Sequence, residues 1–285
     1  MISSETGKVT SSLLLRIFEA RDDLWWACRT LWHLAQAATY LGEWDASLSY
    51  CKRALEHGNT LEDLRLKVVG LYRTGAAHIQ RGNIERGLRY CDEALALRPI
   101  PYDVAMAKVF RGYGQVKAGR PEDGIADLSD AINWLDRSGL RHVRLAPVLR
   151  LAEGHLRLGR FASERELVEE VLVIAQARGY RYLEGLARRL MAECIAETSP
   201  AIAEEHLTET LRIFDSIGAR NDLAKTLVTR ATLCQNHDKL VARRMLEEAG
   251  AIFESLGTLD EPIRVKAALD RIEVELFSAG YSSSD

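Results

Sequence analysis

The chain has 285 residues, of which 47% are hydrophobic and 28% are charged, and its formal net charge is −3. This composition suits a soluble protein with a packed core, and the slightly acidic balance excludes a strong general attraction to nucleic acid or acidic membranes. The sequence shows no secretory signal pattern and no apolar run near the roughly 18 residues that a membrane helix needs, so we expect a cytoplasmic protein.

The first ordered element is predicted to be half of a repeat. Residues 1–11 are expected to form a flexible segment, followed by a helix over 12–20. The run Leu15–Ala27 is similar to a later run, Leu211–Ala224, which covers the end of a second helix and the turn after it. The helix at 12–20 therefore corresponds to a second helix without a first helix before it, and we interpret it as an N-terminal half-repeat.

Two sets of turn residues recur along the rest of the chain. The first set marks the turn inside each helix pair, with spacings of 40, 37 and 40 residues, and the second marks the turn between pairs, with spacings of 41, 40, 40, 39 and 39. Glycine readily takes the left-handed conformation and proline cannot continue a helix, so both residue types end helices. The first set is Gly42, Gly82, Gly119 and Gly159, and the second is Gly58, Pro99, Gly139, Gly179, Gly218 and Gly257.

These turns predict a single solenoid over 12–278, with about six helix-pair repeats and a final helix. The repeats are placed at about 24–58, 61–99, 101–138, 141–178, 181–217 and 220–256. The last helix, 261–278, starts at Pro262 after two acidic residues, which is a favourable helix start. Its many charged residues indicate a capping helix, and the tail 279–285 is predicted to be disordered.

The second repeat carries the clearest residue pattern. Its key positions are Leu71, Gly75 and His78 in the first helix and Gly87, Cys91, Ala94 and Pro99 in the second. The small residues Gly87, Cys91 and Ala94 share one helical face, so another helix can approach closely there. This order of large, small and aromatic positions followed by small residues and proline resembles the tetratricopeptide repeat, or TPR.

The repeat length of about forty residues exceeds the usual thirty-four of that family. Together with the run Ala219–Ala231, it resembles the repeat arrays of bacterial multidomain regulators of the MalT-like kind. The resemblance implies an all-α, right-handed solenoid in which first helices line a concave groove and second helices form the outer wall. It also implies a role in bacterial signalling or regulation.

The sequence contains no motif that indicates catalysis or a cofactor. Nucleotide-binding glycine loops, the HExxH zinc motif and the GxSxG nucleophile motif are absent, so we expect a non-enzymatic chain without a cofactor or metal. His78 and His155 share one repeat position and are predicted to be core histidines with satisfied hydrogen bonds. The five cysteines form no CxxC pair and are predicted to be buried free thiols: Cys28, Cys51, Cys91, Cys194 and Cys234.

The candidate binding residues follow from the groove that the resemblance implies. Groove positions lie three residues before, one after, and four or five after the small residue of each first helix, and several arginines lie nearby. The segment 141–189 alone contains ten arginines and six glutamates. The candidates are Arg29, Trp32, Gln36, Tyr40, Tyr72, Arg73, Gln80, Tyr113, Lys117, Arg150, Glu153, Arg157 and Arg188.

We therefore predict a protein–protein interaction scaffold that binds an acidic peptide or protein segment in the groove. Arginines would pair with carboxylates, and four aromatic residues would be apolar anchors: Trp32, Tyr40, Tyr72 and Tyr113. Two alternatives stay open: these aromatics only fill space between successive first helices, or the chain is a regulatory sensor that responds to a ligand or signalling peptide. A further expected contact is self-association through the N-terminal half-repeat, with Trp25 and Trp26 as anchors.

Overall fold

The computed structural model describes residues 5–160 and 164–281, with the side chains of 10–160 and 164–276. Within these ranges the chain forms fourteen α-helices joined by turns and no β-strand, which confirms the predicted all-α class. The helices are α1 (Glu5–Ala20), α2 (Leu24–Leu41), α3 (Trp44–Thr60), α4 (Leu64–Arg81), α5 (Ile84–Ala96), α6 (Pro101–Lys117), α7 (Pro121–Arg137), α8 (Leu145–Leu156), α9 (Arg165–Ala177), α10 (Arg181–Ile195), α11 (Pro200–Ser216), α12 (Arg220–Cys234), α13 (Lys239–Leu256) and α14 (Glu261–Tyr281).

Local sequence signals explain where many of these helices begin. The carboxylates of Asp23, Asp63 and Asp238 each accept a hydrogen bond from a backbone N–H three residues ahead, at 3.3, 3.0 and 2.9 Å. Such N-caps satisfy donors that the first turn leaves free. Helices α6, α7 and α11 begin with proline instead, whose fixed φ suits the first helical position. In the described ranges no helix is long and apolar enough to cross a bilayer.

The predicted turn glycines behave as expected at all positions but one. Eight of them have φ between +65° and +99°. Gly58 is the exception, because it lies inside α3 and is buried, so its prediction as a turn residue is wrong. A Cβ on Gly58 would lie 3.2 Å from Leu66 Cβ, so this glycine allows α4 to pack closely. The turn itself contains Glu62, whose φ is +51°.

The two ends of the chain differ from the prediction. Helix α1 begins at Glu5, so the residues predicted to be flexible are helical from that point, while 1–4 lie outside the described residues. Ser11 and Leu15 are one turn apart and both are 5% exposed, so the packing of α1 begins before residue 12. Helix α14 continues to Tyr281, past the predicted start of the tail, and 282–285 lie outside the described residues.

Within pairs, glycines bring the two helices into close contact. A Cβ on Gly87 of α5 would lie 2.6 Å from the backbone oxygen of Gly75 on α4, closer than real side chains pack. The third pair repeats this arrangement, since a Cβ on Gly124 would lie 2.5 Å from the backbone oxygen of Gly112. The predicted role of small residues in close helix packing is thus confirmed at Gly87.

The first helices of successive pairs form a continuous row. Helix α2 contacts α4, and the row continues through α6, α8 and α10 to α12. Helix α12 in turn contacts α2. Repeats in a solenoid normally contact only their neighbours, so this contact shows that the row coils back until its sixth pair meets its first.

The chain closes where the ends of early first helices meet turns near the C-terminus. Trp44 Nε1 donates to Thr258 Oγ1 at 3.3 Å, and the backbone N–H of Leu259 donates to the Arg81 carbonyl at 2.7 Å. We call this contact the closing seam. Its residues are Tyr40, Trp44, Arg81, Gly82 and Lys117 on one side and Tyr182, Asn221 and 257–261 on the other.

The cysteines are all free, but only three are fully buried. Cys28, Cys51 and Cys91 are at most 1% exposed, and burial raises the pKa of each thiol, to about 11, 11 and 12. Cys194 and Cys234 are half-buried, so the prediction of burial is wrong for them. Both lie near the C-terminal ends of inner helices, in the two pairs whose inner turn has no glycine.

His78 is buried in the second pair, where it is 6% exposed and stacks on Tyr90 with ring centroids 5.6 Å apart. Its Nδ1 has no hydrogen-bond partner, so the prediction of a fully satisfied histidine is wrong. Burial, and to a smaller extent the positive charges of Arg86 and Arg81, lower the pKa of His78 to about 4. No cluster of His, Cys, Asp and Glu suited to a metal ion occurs among the described residues.

This low pKa predicts acid sensitivity that His78→Phe removes. Unfolding returns the pKa to about 6.5, so below that pH the unfolded chain binds a proton that the folded chain refuses, and stability falls as pH drops towards 4. Between about pH 7 and pH 5 the wild type should lose about 2 kcal/mol more unfolding free energy than His78→Phe. Urea unfolding of both proteins at the two pH values measures this difference, and equal losses would contradict the prediction.

Candidate functional site

The coiled row of first helices encloses two small cavities. The first is lined by residues of α2, α4, α6 and α8, and encloses about 30 Å³. Five of the predicted groove residues line it together: Gln36, Tyr40, Arg73, Gln80 and Arg150. The predicted candidates, from the counting rule and the arginines near it, therefore bring side chains from three repeats around one space.

The second cavity also encloses about 30 Å³ and adds residues of α10 and α12. It shares Tyr40, Gln80 and Arg150 with the first, so the two form one region that we call the interior site. The second cavity is lined in addition by the predicted residues Tyr113 and Glu153 and by Leu149, Tyr182, Leu186, Arg189 and Asp222.

Two arginines that line the first cavity have no carboxylate partner. Arg150 places its guanidinium 4.9 Å from the ring centroids of both Phe110 and Tyr113, so aromatic faces hold it in position. Arg73 donates from Nη1 to the Trp32 carbonyl at 3.5 Å. Among the described residues neither arginine forms an ion pair, and the Nε of Arg73 and one terminal nitrogen of Arg150 are buried without a hydrogen-bond partner.

Two other arginines nearby are paired. Arg111 of α6 contacts Asp127 at 2.6 Å and Asp92 at 3.1 Å, and Arg157 contacts Glu153 at 3.5 Å. Arg189 of the second cavity forms no ion pair among the described residues, and its Nε is buried without a hydrogen-bond partner. Buried or half-buried cations are normally paired because an uncompensated charge is costly to bury. Unpaired guanidinium groups, those of Arg73 and Arg150 in the first cavity and of Arg189 in the second, are therefore the chemical feature that sets the interior site apart.

Glu153 is one of two carboxylates that line the second cavity, the other being Asp222. Burial would raise the pKa of Glu153, but Arg189 and Arg157, with smaller effects from Lys225 and Lys117, lower it to about 2. The carboxylate therefore stays ionised across the physiological range. The charged side chains that line the interior site are Arg73, Arg150 and Arg189 with Glu153 and Asp222, so the lining keeps a positive balance.

An aromatic stack joins the interior site to the closing seam. Tyr40 and Tyr182 lie with ring centroids 4.0 Å apart and an interplanar angle of 20°. Tyr182 donates from its hydroxyl to Asp222 at 2.8 Å, and Asp222 lies 3.8 Å from Lys225 Nζ. Movement at the seam would therefore move residues that line the second cavity.

The predicted aromatic anchors have different surroundings. Tyr72 is 2% exposed, stacks on Phe110 at 5.8 Å and belongs to an apolar cluster, so it packs between first helices, as the open alternative stated. Tyr113 is 6% exposed but still lines the second cavity. Trp32 is half-buried between two apolar clusters, and only Tyr40 lines both cavities.

Lys117 was predicted to face a partner, and the structure contradicts this. Its side chain is 1% exposed, and Nζ lies 2.8 Å from Asp260 and 3.7 Å from Glu261. It also donates to the Ile79 carbonyl at 3.3 Å. An acidic segment does contact this groove position, but the segment belongs to the chain itself.

Arg188 and Arg29 lie away from the interior site, contrary to their prediction as groove residues. Arg188 donates to Glu184 at 3.1 Å and contacts His206 of α11, so it faces the outer helix of its pair. Arg29 stacks on Trp25 at 5.0 Å and on Trp26 at 5.4 Å. These two tryptophans are 37% and 48% exposed at the N-terminal end, and their role in self-association stays a prediction.

The prediction missed four cavity residues of α10 that the counting rule identifies. Gly185 packs against the Phe214 ring, as the small residue of a first helix should. Counting from Gly185 gives Tyr182, Leu186, Arg189 and Leu190, all of which line the second cavity. The same signal as in the first four repeats is therefore present in the sequence of the fifth.

The interior site is closed in this structure. Sites for small molecules usually measure about 300–1,000 Å³, whereas each of these cavities encloses about 30 Å³, room for one or two waters. The open groove that the resemblance implied is closed because the last repeat packs against the ends of the first three. A ligand of peptide size requires an outward movement at the closing seam.

The arrangement was compared with known proteins. No protein-family model matches the chain, and no curated protein matches it. A solved Rap protein complexed with competence and sporulation factor is similar, with a TM-score of 0.54 and 15% identity over 88% of this chain and 65% of that chain. A signal transduction ATPase with numerous domains, which has a tetratricopeptide repeat sensor and comes from Pyrococcus horikoshii, gives a TM-score of 0.51 and 20% identity over 91% of this chain and 40% of that chain.

Identities of 15% and 20% establish a likeness of fold alone. The chain spans less than two thirds of the length of either neighbour. Within those bounds, the predicted resemblance is confirmed: the chain has the fold of a tetratricopeptide-type repeat array.

Proposed function

We propose that the chain is a non-catalytic interaction scaffold that binds a peptide or protein segment at the interior site. One observation carries the proposal. Arg73 and Arg150 line the same cavity, and neither forms an ion pair among the described residues. A carboxylate of the partner placed between them would supply the missing charge and accept hydrogen bonds from both guanidinium groups.

The surroundings of the two arginines support an acidic group with an apolar neighbour. The amides of Gln36 and Gln80 line the same cavity and offer further donors. Tyr40 and Phe110 supply rigid apolar area beside them. A partner side chain such as aspartate or glutamate next to an apolar residue matches this mixture of charge and aromatic surface.

The two structural neighbours are consistent with such a role. One was solved in complex with a factor, and the other contains a repeat array described as a sensor. From these two neighbours we infer for this chain only that a repeat array of this fold binds a partner.

A second candidate function is a regulatory module that responds to a ligand or signalling peptide, and the closed interior favours it. Since the cavities of about 30 Å³ leave no room for a peptide, binding must be accompanied by opening. A protein whose binding and shape are coupled in this way can report the ligand to another domain or protein. An increase in radius of gyration on ligand binding, measured by X-ray scattering, would separate this sensor from a rigid scaffold.

The proposed function is tested with peptides selected by display against the full chain. We expect the selected sequences to be enriched in aspartate and glutamate, and their replacement by asparagine and glutamine to weaken binding at least about tenfold, since charged hydrogen bonds contribute about 1.5–3 kcal/mol each. Calorimetry on matched peptide pairs measures the effect. Selection of neutral peptides, or equal affinity of acid and amide forms, would refute the proposal.

A further inference from the structure

We propose that the turn between α13 and α14, Gly257–Glu261, is a latch that holds the interior site closed and must release before a ligand enters. The inference rests on the proposed function, because it assigns a means of regulation to the same site. We call this segment the acidic latch.

The acidic latch contacts each of the first three helix pairs in succession. Thr258 Oγ1 accepts from Trp44, the first residue of α3 after the α2–α3 turn, and itself donates to Asn221 Oδ1 at 3.0 Å. Leu259 N donates to the Arg81 carbonyl at the end of α4. Asp260 pairs with Lys117, the last residue of α6.

The charges at these ends are complementary. Lys117 lies at the C-terminal end of α6, where the helix dipole is negative, and Asp260 and Glu261 lie at the N-terminal end of α14, where it is positive. Arg264 of α14 completes the contact by donating to the Lys117 carbonyl at 3.1 Å. Glycine at position 82 is required as well, because a Cβ there would overlap Asp260.

The apolar cores leave the acidic latch free to release. The buried clusters of the first three pairs extend from Leu15 to Ala131, and those of the last pairs extend from Ile132 to Ile272. Among the described residues of α1–α3, only Tyr40 packs against a cluster from across the seam. Opening therefore breaks several polar contacts, the Tyr40–Tyr182 stack and the close approach of Leu256 to Gly42 and of Leu41 to Gly218, but it leaves the buried residues of each hydrophobic cluster together.

Opening at the closing seam would enlarge the interior site directly. Tyr40 and Tyr182 belong both to the seam and to the lining of the second cavity, and Asp222, which accepts a hydrogen bond from Tyr182, lines the same cavity. A ligand that binds only the open form then has its apparent affinity reduced by the fraction of molecules that are open. Weakening the acidic latch should raise that fraction and tighten ligand binding.

Hydrogen exchange tests the latch without any ligand. Thr258→Val is close to isosteric and removes two hydrogen bonds of the acidic latch. The control variant Lys239→Met removes an ion pair between α13 and α14, in which Lys239 Nζ lies 2.9 Å from Glu275, outside the seam. We expect Thr258→Val to exchange the Leu259 amide at least about tenfold faster, with unchanged exchange in α7–α9. Lys239→Met should leave the Leu259 amide as in the wild type.

Three results would overturn the latch: unchanged exchange at Leu259 in Thr258→Val, equal acceleration in Lys239→Met, or acceleration spread over α7–α9 as in global unfolding. Asp260→Asn provides an independent second variant with the same expected result, should Thr258→Val fold poorly.

Peptides selected on the wild type should bind Thr258→Val faster and more tightly, and unchanged binding would also overturn the latch. If no peptide binds either protein, the proposed function fails, while the exchange experiment still decides whether the seam opens.

Discussion

Charge reversal at Arg73 or Arg150 is expected to weaken the binding of an acidic partner by about 2–5 kcal/mol, that is, to raise Kd by about 30-fold to several thousand-fold. Both guanidinium groups line one cavity without an ion pair, so they are ready to receive a carboxylate. In Arg150→Glu the new carboxylate would repel that of the partner inside a space with little water. Calorimetry with a display-selected acidic peptide measures the loss.

Two controls separate binding from folding. Arg150→Gln and Arg73→Gln remove a charge without adding one, so they should bind more weakly than the wild type but more tightly than the reversed forms. Arg212→Glu reverses a charge on the outer helix α11, where the side chain is 65% exposed, and should leave Kd unchanged. Wild-type affinity in Arg73→Glu and Arg150→Glu, with normal thermal unfolding, would show that the partner binds elsewhere.

The repeat architecture could be predicted from the sequence because each turn makes the same local demand. A backbone with φ near +70° favours glycine, so Gly139, Gly179, Gly218 and Gly257 recur at nearly equal spacing. Gly58 was wrongly predicted as a turn residue because it is also a glycine, but at this position glycine allows α4 to pack closely. Spacing along the sequence alone does not distinguish a glycine required by a positive φ from one required by close helix packing.

The interior site was only partly predictable, because part of it depends on distant contacts. Arg73, Gln80 and Arg150 follow from position within their own repeats. Lys117 follows the same rule, yet its partner lies more than a hundred residues further along, at Asp260, and no local pattern links the two. The register of one repeat does not reveal how far the whole row coils, and that coiling decides which groove residues are covered by the chain itself.

The largest loss of stability is expected from Phe214→Ala, which should lower the free energy of unfolding by about 3–5 kcal/mol. Phe214 lies on α11 with 0% exposure, and its ring fills the space left by Gly185 on α10. Truncation leaves a cavity that neighbouring helices can only partly fill. Urea unfolding of variant and wild type measures the difference, and Phe214→Leu, which keeps most of the volume, should lose much less.

Phe214 also supports the closing seam, which gives the substitution a second consequence. Its ring lies 5.9 Å from that of Tyr182, whose other side stacks on Tyr40. Phe253 is the matched control, since it has 0% exposure in the next repeat but belongs to a separate apolar cluster. Both alanine variants should lose similar stability, but only Phe214→Ala should also speed hydrogen exchange at Tyr182 relative to the rest of its cluster. Equal exchange at Tyr182 in both variants would mean that the stack is held by the seam alone, without support from the core behind it.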